Sequence, residues 1–139
     1  MKVLIDTNVI LDWLMAREPN STDAKFIMEQ CLFGEVDGYV ASHSFSDLFF
    51  ILRKDYSVEK RKKLLSLLCE GMNVVPEDKD MILSVLHREE WRDLEDGLQM
   101  QCAKNEEVDY IITQNLKDFR YSEIKALSEK QFCEIIRFN

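Results

Sequence analysis

Five short apolar runs punctuate this chain, Lys2–Ile5, Gly38–Ala41, Asn73–Val75, Asp109–Thr113 and Cys133–Ile136, and the stretches between them carry helical periodicity. Unbroken apolar runs suit strands buried on both faces. Strands separated by a helix's length of chain pair in parallel, because the crossover must return to the same edge. The expectation is therefore an α/β fold, with a mostly parallel sheet of four or five strands covered by helices on both faces.

The predicted helices run from Asn20 or Ser21 to Phe33 with Gly34 as a stop, then over Ser42–Asp55, Val58–Gly71, Glu77–Glu90 and Leu94–Asn105. Within the second, Phe45, Leu48, Phe49 and Leu52 share one stripe. At 139 residues, with 46% hydrophobic content and only 4 Gly and 2 Pro, residues 1–139 suit one domain with a real core.

Right-handed crossovers put the carboxyl ends of parallel strands on one edge, where ligands bind. Asp6 follows the first strand, Asp47 lies early in the helix after the second, and Asn115 and Asp118 follow the strand ending at Thr113. Asp93 and Asp96 flank the start of the helix before that strand, so all of these meet at one pole. From position alone, Asp6 also suits a helix cap, Asp47 a solvent-facing acid, and Asp93 and Asp96 helix N-terminal charge, with Glu95 pointing elsewhere. Asn8 and Asn115 offer amide carbonyls to a metal or to their own loops. Thr113 orients a water or an acid, or simply ends its strand, and Asp118 reaches the cleft or caps a turn.

Carboxylates crowded around one cleft repel one another unless a cation compensates them. An oxygen-only set favours Mg²⁺ or Mn²⁺, and His43 and His87 are isolated, with no zinc-binding pattern around them. The net charge of −8 argues against a protein that coats nucleic acid, though not against a metal-assisted phosphodiesterase. No apolar run is long enough to span a bilayer, and Asp6 interrupts any secretory core, so no membrane association and a cytoplasmic location are expected. Cys31, Cys69, Cys102 and Cys133 are widely spaced and read as buried free thiols.

Four ordered blocks carry a resemblance over nearly the whole chain: Asp6-Thr7-Asn8-Val9 after the first strand, Ser46-Asp47-Leu48-Phe49-Phe50, Asp93-Leu94-Glu95-Asp96-Gly97-Leu98-Gln99, and Tyr110 through Phe119. Together they resemble the PIN-domain family. The resemblance implies a three-layer α/β/α sandwich and a metal-dependent endoribonuclease using Mg²⁺ or Mn²⁺. It further implies kinship with small toxins of toxin–antitoxin pairs, with an antitoxin protein as partner and a homodimer as the assembly. By the same resemblance, Asp6, Asp47 and Asp96 are the acidic metal ligands and catalytic residues, Asp93 assists, and Asn8, Thr113, Asn115 and Asp118 are auxiliary. Asn115 stands where many members have a fourth acid, and Gln114 where a basic residue is common.

That departure keeps two alternatives open: a catalytically weakened PIN-like module that binds RNA or protein, and a metal-dependent phosphatase. Lys54, Lys60, Arg61, Lys62 and Lys63 are the candidate contacts to an RNA substrate, or else an ordinary solvated face. Apolar positions between Phe49 and Leu68 are the candidate dimer surface.

Overall fold

In a computed structural model describing Met1–Phe138, the first apolar run forms β1 (Lys2–Ile5), and a single residue, Asp6, separates it from α1 (Thr7–Leu14). There follow α2 (Ser21–Leu32), β2 (Asp37–Ala41), α3 (Ser42–Ile51), α4 (Val58–Gly71) and β3 (Asn73–Val75). The remainder comprises α5 (Lys79–Leu86), α6 (Leu94–Asn105), β4 (Tyr110–Ile112), β5 (Ala126–Leu127) and α7 (Glu129–Arg137). Short 3-10 turns occupy Leu52–Lys54 and Leu116–Phe119.

The strands form one five-stranded sheet in the order β3-β2-β1-β4-β5, and its paired strands run parallel. The chain builds outward from β1 to β3 and then lays β4 on the other side of β1. The carboxyl ends of β1 and β4 thus become the topological switch point where a crevice opens. Ile5 pairs with Ile112, so these two strands end level and present Asp6 beside Thr113.

Alternation along β1 fills two cores. Val3 and Ile5 pack with Ile27, Leu65 and Phe132, whereas Leu4 packs with Val85, Leu98 and Ile111 on the opposite face. Helices α1, α2, α3, α4 and α7 supply the first core, and α5 and α6 the second, which makes the three layers. Each fully buried aliphatic side chain contributes about 1.5–3 kcal/mol. Gly97 lets α6 approach closely: a Cβ there would collide with Val85 and lie 3.2 Å from Trp91. This fixes the helix turn that carries Asp96.

Cys133–Ile136, expected as the last strand, lies instead within α7. Phe132 and Cys133 are buried and Ile135 and Ile136 half-buried, and Ser128 and Gln131 form a reciprocal cap that starts the helix. The actual edge strand, β5, is two residues long and leaves little apolar signal. The expected Glu77–Glu90 helix is shorter because Asp78 caps α5 by accepting the Met81 N–H, and the chain leaves the helix after Leu86. Cys31, Cys102 and Cys133 are buried, but Cys69 is exposed on the outer face of α4, next to buried Leu68.

Candidate active site

Asp6 stands at the N-cap position of α1 with extended backbone, and its residue is only 5% exposed. One carboxylate oxygen accepts the Thr113 hydroxyl at 2.7 Å, and Gln99 Nε2 lies 3.4 Å from the other. Burial raises the Asp6 pKa, against the opposing Thr113 bond. Thr7 Oγ1 and Ser44 Oγ share a buried hydrogen bond of 2.7 Å, and Gln99 Nε2 donates to Ser44 Oγ at 3.3 Å. A buried polar seam thereby ties α1, α3 and α6 beneath Asp6.

Above this seam lies a cleft of about 230 Å³ lined by Asp6, Asn8, Asp47, Glu95, Asp96 and Gln99, among others. Three acids expected from sequence, Asp6, Asp47 and Asp96, therefore face one cavity. Glu95, expected to point elsewhere, also lines it, because α6 begins at Leu94 and so carries Glu95, Asp96 and Gln99 to the cleft. Burial and then the neighbouring Asp47 carboxyl raise the Glu95 pKa. Asp96 is pushed up to about 7, by burial first and then by Asp93, Asp6, Asp118 and Glu95.

Asp93 is the N-cap of α6, and its Oδ1 accepts the Asp96 N–H at 3.1 Å. Together with Asp96 and Asp118 it lines a second groove adjoining the cleft. Thr113 is fully buried against Asp6. Asn115 is exposed, and its backbone N–H donates to Thr113 Oγ1 at 3.0 Å, holding the hydroxyl that in turn holds Asp6. His43, set aside in the sequence, contacts Glu77 through Nδ1 at 2.8 Å, and its Nε2 is buried without a partner.

Lys54, Lys60, Lys62 and Lys63 are exposed, but Arg61 is not the solvent-facing phosphate contact expected. It is 9% exposed; its guanidinium lies over the Phe49 ring and donates to the Phe49 carbonyl at 2.7 Å, so it joins α4 to α3. Gln99 and Ser44 are the site residues that sequence reasoning missed. The one available signal was a polar amide on an otherwise apolar stripe of α6, since Gln99 sits between Leu98 and Met100.

Among the described residues, no three His, Cys, Asp or Glu side chains already form a metal cage. The donor set nevertheless fits a hard divalent cation. Four carboxylates and no lysine or arginine line the cleft, Asp96 is pushed up to about 7 by burial and then by its acidic neighbours, and Gln99 Oε1 is buried without a partner. Asp6, Asp47, Glu95 and Asp96 are the lining residues that could hold such an ion.

No curated protein matches the chain. Among solved structures, a toxin–antitoxin complex from Klebsiella pneumoniae is 21% identical, covers 91% of this chain and 97% of its own, and has a TM-score of 0.68. VapBC-1 from nontypeable Haemophilus influenzae is 20% identical over 94% and 99%, with a TM-score of 0.67. VapBC2 from Rickettsia felis, bound to a DNA fragment from its promoter, is 15% identical over 92% and 98%, with a TM-score of 0.69. These likenesses share the parallel sheet and its helical layers. The family model for the PIN domain matches residues 2–117, a span that takes in every acid of the cleft, and the chain belongs to the PIN domain family.

Proposed function

We propose that this protein is a divalent-metal-dependent endoribonuclease whose active site is the cleft of Asp6, Asp47 and Asp96. The observation that carries the reading is the gathering of four carboxylates on one cleft at the carboxyl edge of the sheet. A nuclease role accords with the PIN domain family, whose toxin members generally cleave nucleic acid. Asp6 and Asp96 would hold Mg²⁺ or Mn²⁺. Such an ion supplies a more acidic bound water and neutralises charge on the phosphoryl oxygens.

Within the chain itself, Thr113 and Gln99 fix the two oxygens of Asp6. Asp47 and Glu95 would orient the attacking water; one of them takes its proton as the P–O bond forms and a proton passes to the leaving 3′-oxygen as its P–O bond breaks, giving a 5′-phosphate and a 3′-hydroxyl. Asp93, through the Asp96 N–H, sets the turn that aims Asp96.

The toxin–antitoxin complexes among the structural neighbours support an antitoxin as partner. An apolar groove of about 410 Å³ lined by Trp13, Leu14, Leu32, Leu64, Leu67 and Leu68 would receive an amphipathic antitoxin segment. Exposed Phe50, Ile51 and Val58 are the candidate homodimer contacts. Among the described residues, no helix is long and apolar enough to cross a membrane.

The test is cleavage of a mixed structured-RNA pool by wild type and Asp6→Ala, each with Mg²⁺, Mn²⁺ or chelator. Metal-dependent cleavage lost in Asp6→Ala is the expected result. RNA binding by folded wild type without cleavage under every metal would replace the nuclease with a binding module. Turnover of small phosphomonoesters in preference to RNA would indicate a phosphatase.

A further inference from the structure

A cleft whose only charged side chains are carboxylates repels the phosphates on either side of a scissile bond, so the rest of a bound strand needs cationic side chains next to it. The structure offers two arginines on one side, set among the acids Glu90, Asp93, Asp96 and Asp118. Asp96 lines both the acid cleft and the second groove, so the two adjoin at that side chain. Along that second groove stand Arg92, Arg120 and Tyr121, and the same three residues continue into an open groove of about 490 Å³.

The state of the local charges singles out these two arginines. Arg88 is committed to Glu90 at 2.7 Å and Glu123 at 3.1 Å, and Lys104 to Glu123 at 2.8 Å. Arg92 and Arg120 enter no ion pair among the described residues, although carboxylates are close at hand. Arg120 keeps one guanidinium nitrogen on the Lys117 carbonyl at 3.1 Å and lies 4.9 Å from the Tyr121 ring. Tyr121 is 55% exposed and lines the groove with both arginines, the Arg120 guanidinium lying over its ring. Arginines beside an exposed aromatic ring are the two elements that hold single-stranded nucleic acid without reading its sequence.

We propose that Arg92, Arg120 and Tyr121 form the track for the single-stranded RNA segment flanking the scissile phosphate, with each arginine on a backbone phosphate and Tyr121 under a base. This rests on the nuclease reading of the cleft for the position of the scissile bond. The groove assigns the flanking strand to the Asp96 side of the cleft, away from the lysines of α4.

Binding of a fluorescein-labelled unstructured oligoribonucleotide is measured in chelator on the Asp6→Asn protein, where turnover does not intervene. The same background then carries Arg92→Gln with Arg120→Gln, or Tyr121→Ala, or the charge-matched control Lys79→Gln with Lys130→Gln. All of these positions are exposed, and circular dichroism checks the fold. Loss of two phosphate contacts should lower the slope of log K against log salt by about 1.4, at about 0.7 per contact on a single strand. Tyr121→Ala should weaken binding roughly tenfold with the slope unchanged.

In the cleaving wild-type background, the same changes should raise KM with kcat nearly constant. An arginine pair that behaves like the lysine control, or an Asp6→Asn protein that binds no RNA, overturns the track. Binding that depends on Arg92 and Arg120, in a wild type that cleaves nothing, would leave the track standing and remove the nuclease reading instead.

Discussion

Glu77 reaches across from the segment after β3 to clasp His43: its carboxylate lies 2.8 Å from His43 Nδ1 and accepts the His43 backbone N–H at 2.6 Å. It also accepts the Ser42 hydroxyl at 2.8 Å, so one side chain ties down the start of α3, one turn before Asp47. Burial lowers the His43 pKa, but Glu77 outweighs it and the net shift is upward. Burial likewise raises Glu77, but the His43 and Ser42 bonds outweigh it and the net shift is downward.

The signs fix a window for this pair. The His43 contribution is complete below its unfolded value of 6.5 and is lost as pH rises through the folded pKa. The Glu77 contribution is complete above 4.5 and is lost as pH falls through its folded pKa. Glu77→Gln should therefore cost about 1.5–3 kcal/mol near pH 6 and clearly less near pH 9, read by urea unfolding, with the His43 pKa falling in an NMR titration. Equal cost at both pH values would mean that the charge of the pair contributes nothing.

Asp96 behaves in the opposite sense to a salt-bridged acid. Its carboxyl is pushed from 3.8 to about 7 by burial and by its acidic neighbours, so the folded state retains a proton that the unfolded chain releases. Stability is then lost as pH rises from 3.8 through about 7. Asp96→Asn should raise the Tm of chelator-treated protein near pH 8 and leave it nearly unchanged near pH 4. Mn²⁺ should raise the wild-type Tm near pH 8 and have little effect on Asp96→Asn. A thermal shift series covers both; a less stable Asp96→Asn near pH 8 would show that Asp96 is not strained by its neighbours.

Much of this was legible because strand ends are local signals. Lys2–Ile5 followed by Asp6, and the run Asp109–Thr113, needed only apolar composition; the second strand itself spans Tyr110–Ile112, and parallel pairing brings Asp6 and Thr113 together. What failed depended on partners distant in sequence. Cys133–Ile136 has the composition of a strand but lies on a helix begun by Ser128 and Gln131. Arg61 reads as one of four consecutive basic residues, and only the approach of Phe49 withdraws it from solvent. Gln99 owes its place to Asp6 and Ser44, which are 93 and 55 residues away.

Gln99 supports Asp6 rather than substrate, so Gln99→Leu removes the amide beside Asp6 Oδ1 and Ser44 Oγ at similar side-chain volume. Metal-dependent activity should fall about 10–100-fold, as for other residues that orient metal ligands. Stability should change by less than about 1 kcal/mol, because the substitution also removes the buried, unpartnered Oε1. Rescue of the lost activity by excess Mn²⁺ would place the defect in metal affinity. Unchanged activity would detach Gln99 from the site.

Behind the sheet edge, Glu129 is 3% exposed at the first turn of α7, with Oε2 lacking a hydrogen-bond partner. Burial, then the nearby Asp12 and Asp23 carboxylates, push it up to about 8. Asp12 is itself 2% exposed and accepts Arg17 Nε at 3.0 Å, together with the Gln114 side-chain amide. Arg17 therefore answers one of the two buried acids, and the fold keeps the other protonated. Stability should fall as pH rises from the unfolded value of 4.5 through about 8. Glu129→Gln, which replaces the acid with a neutral amide of the same shape, should match wild type near pH 4 and exceed it in stability near pH 9. Because Gln114, in the segment after β4, donates to the Asp12 carboxylate beside Glu129, Glu129→Gln should also slow amide hydrogen exchange at Gln114 and Asn115 near pH 9. A variant less stable than wild type near pH 9 would show that the ionised Glu129 is solvated or paired in the fold.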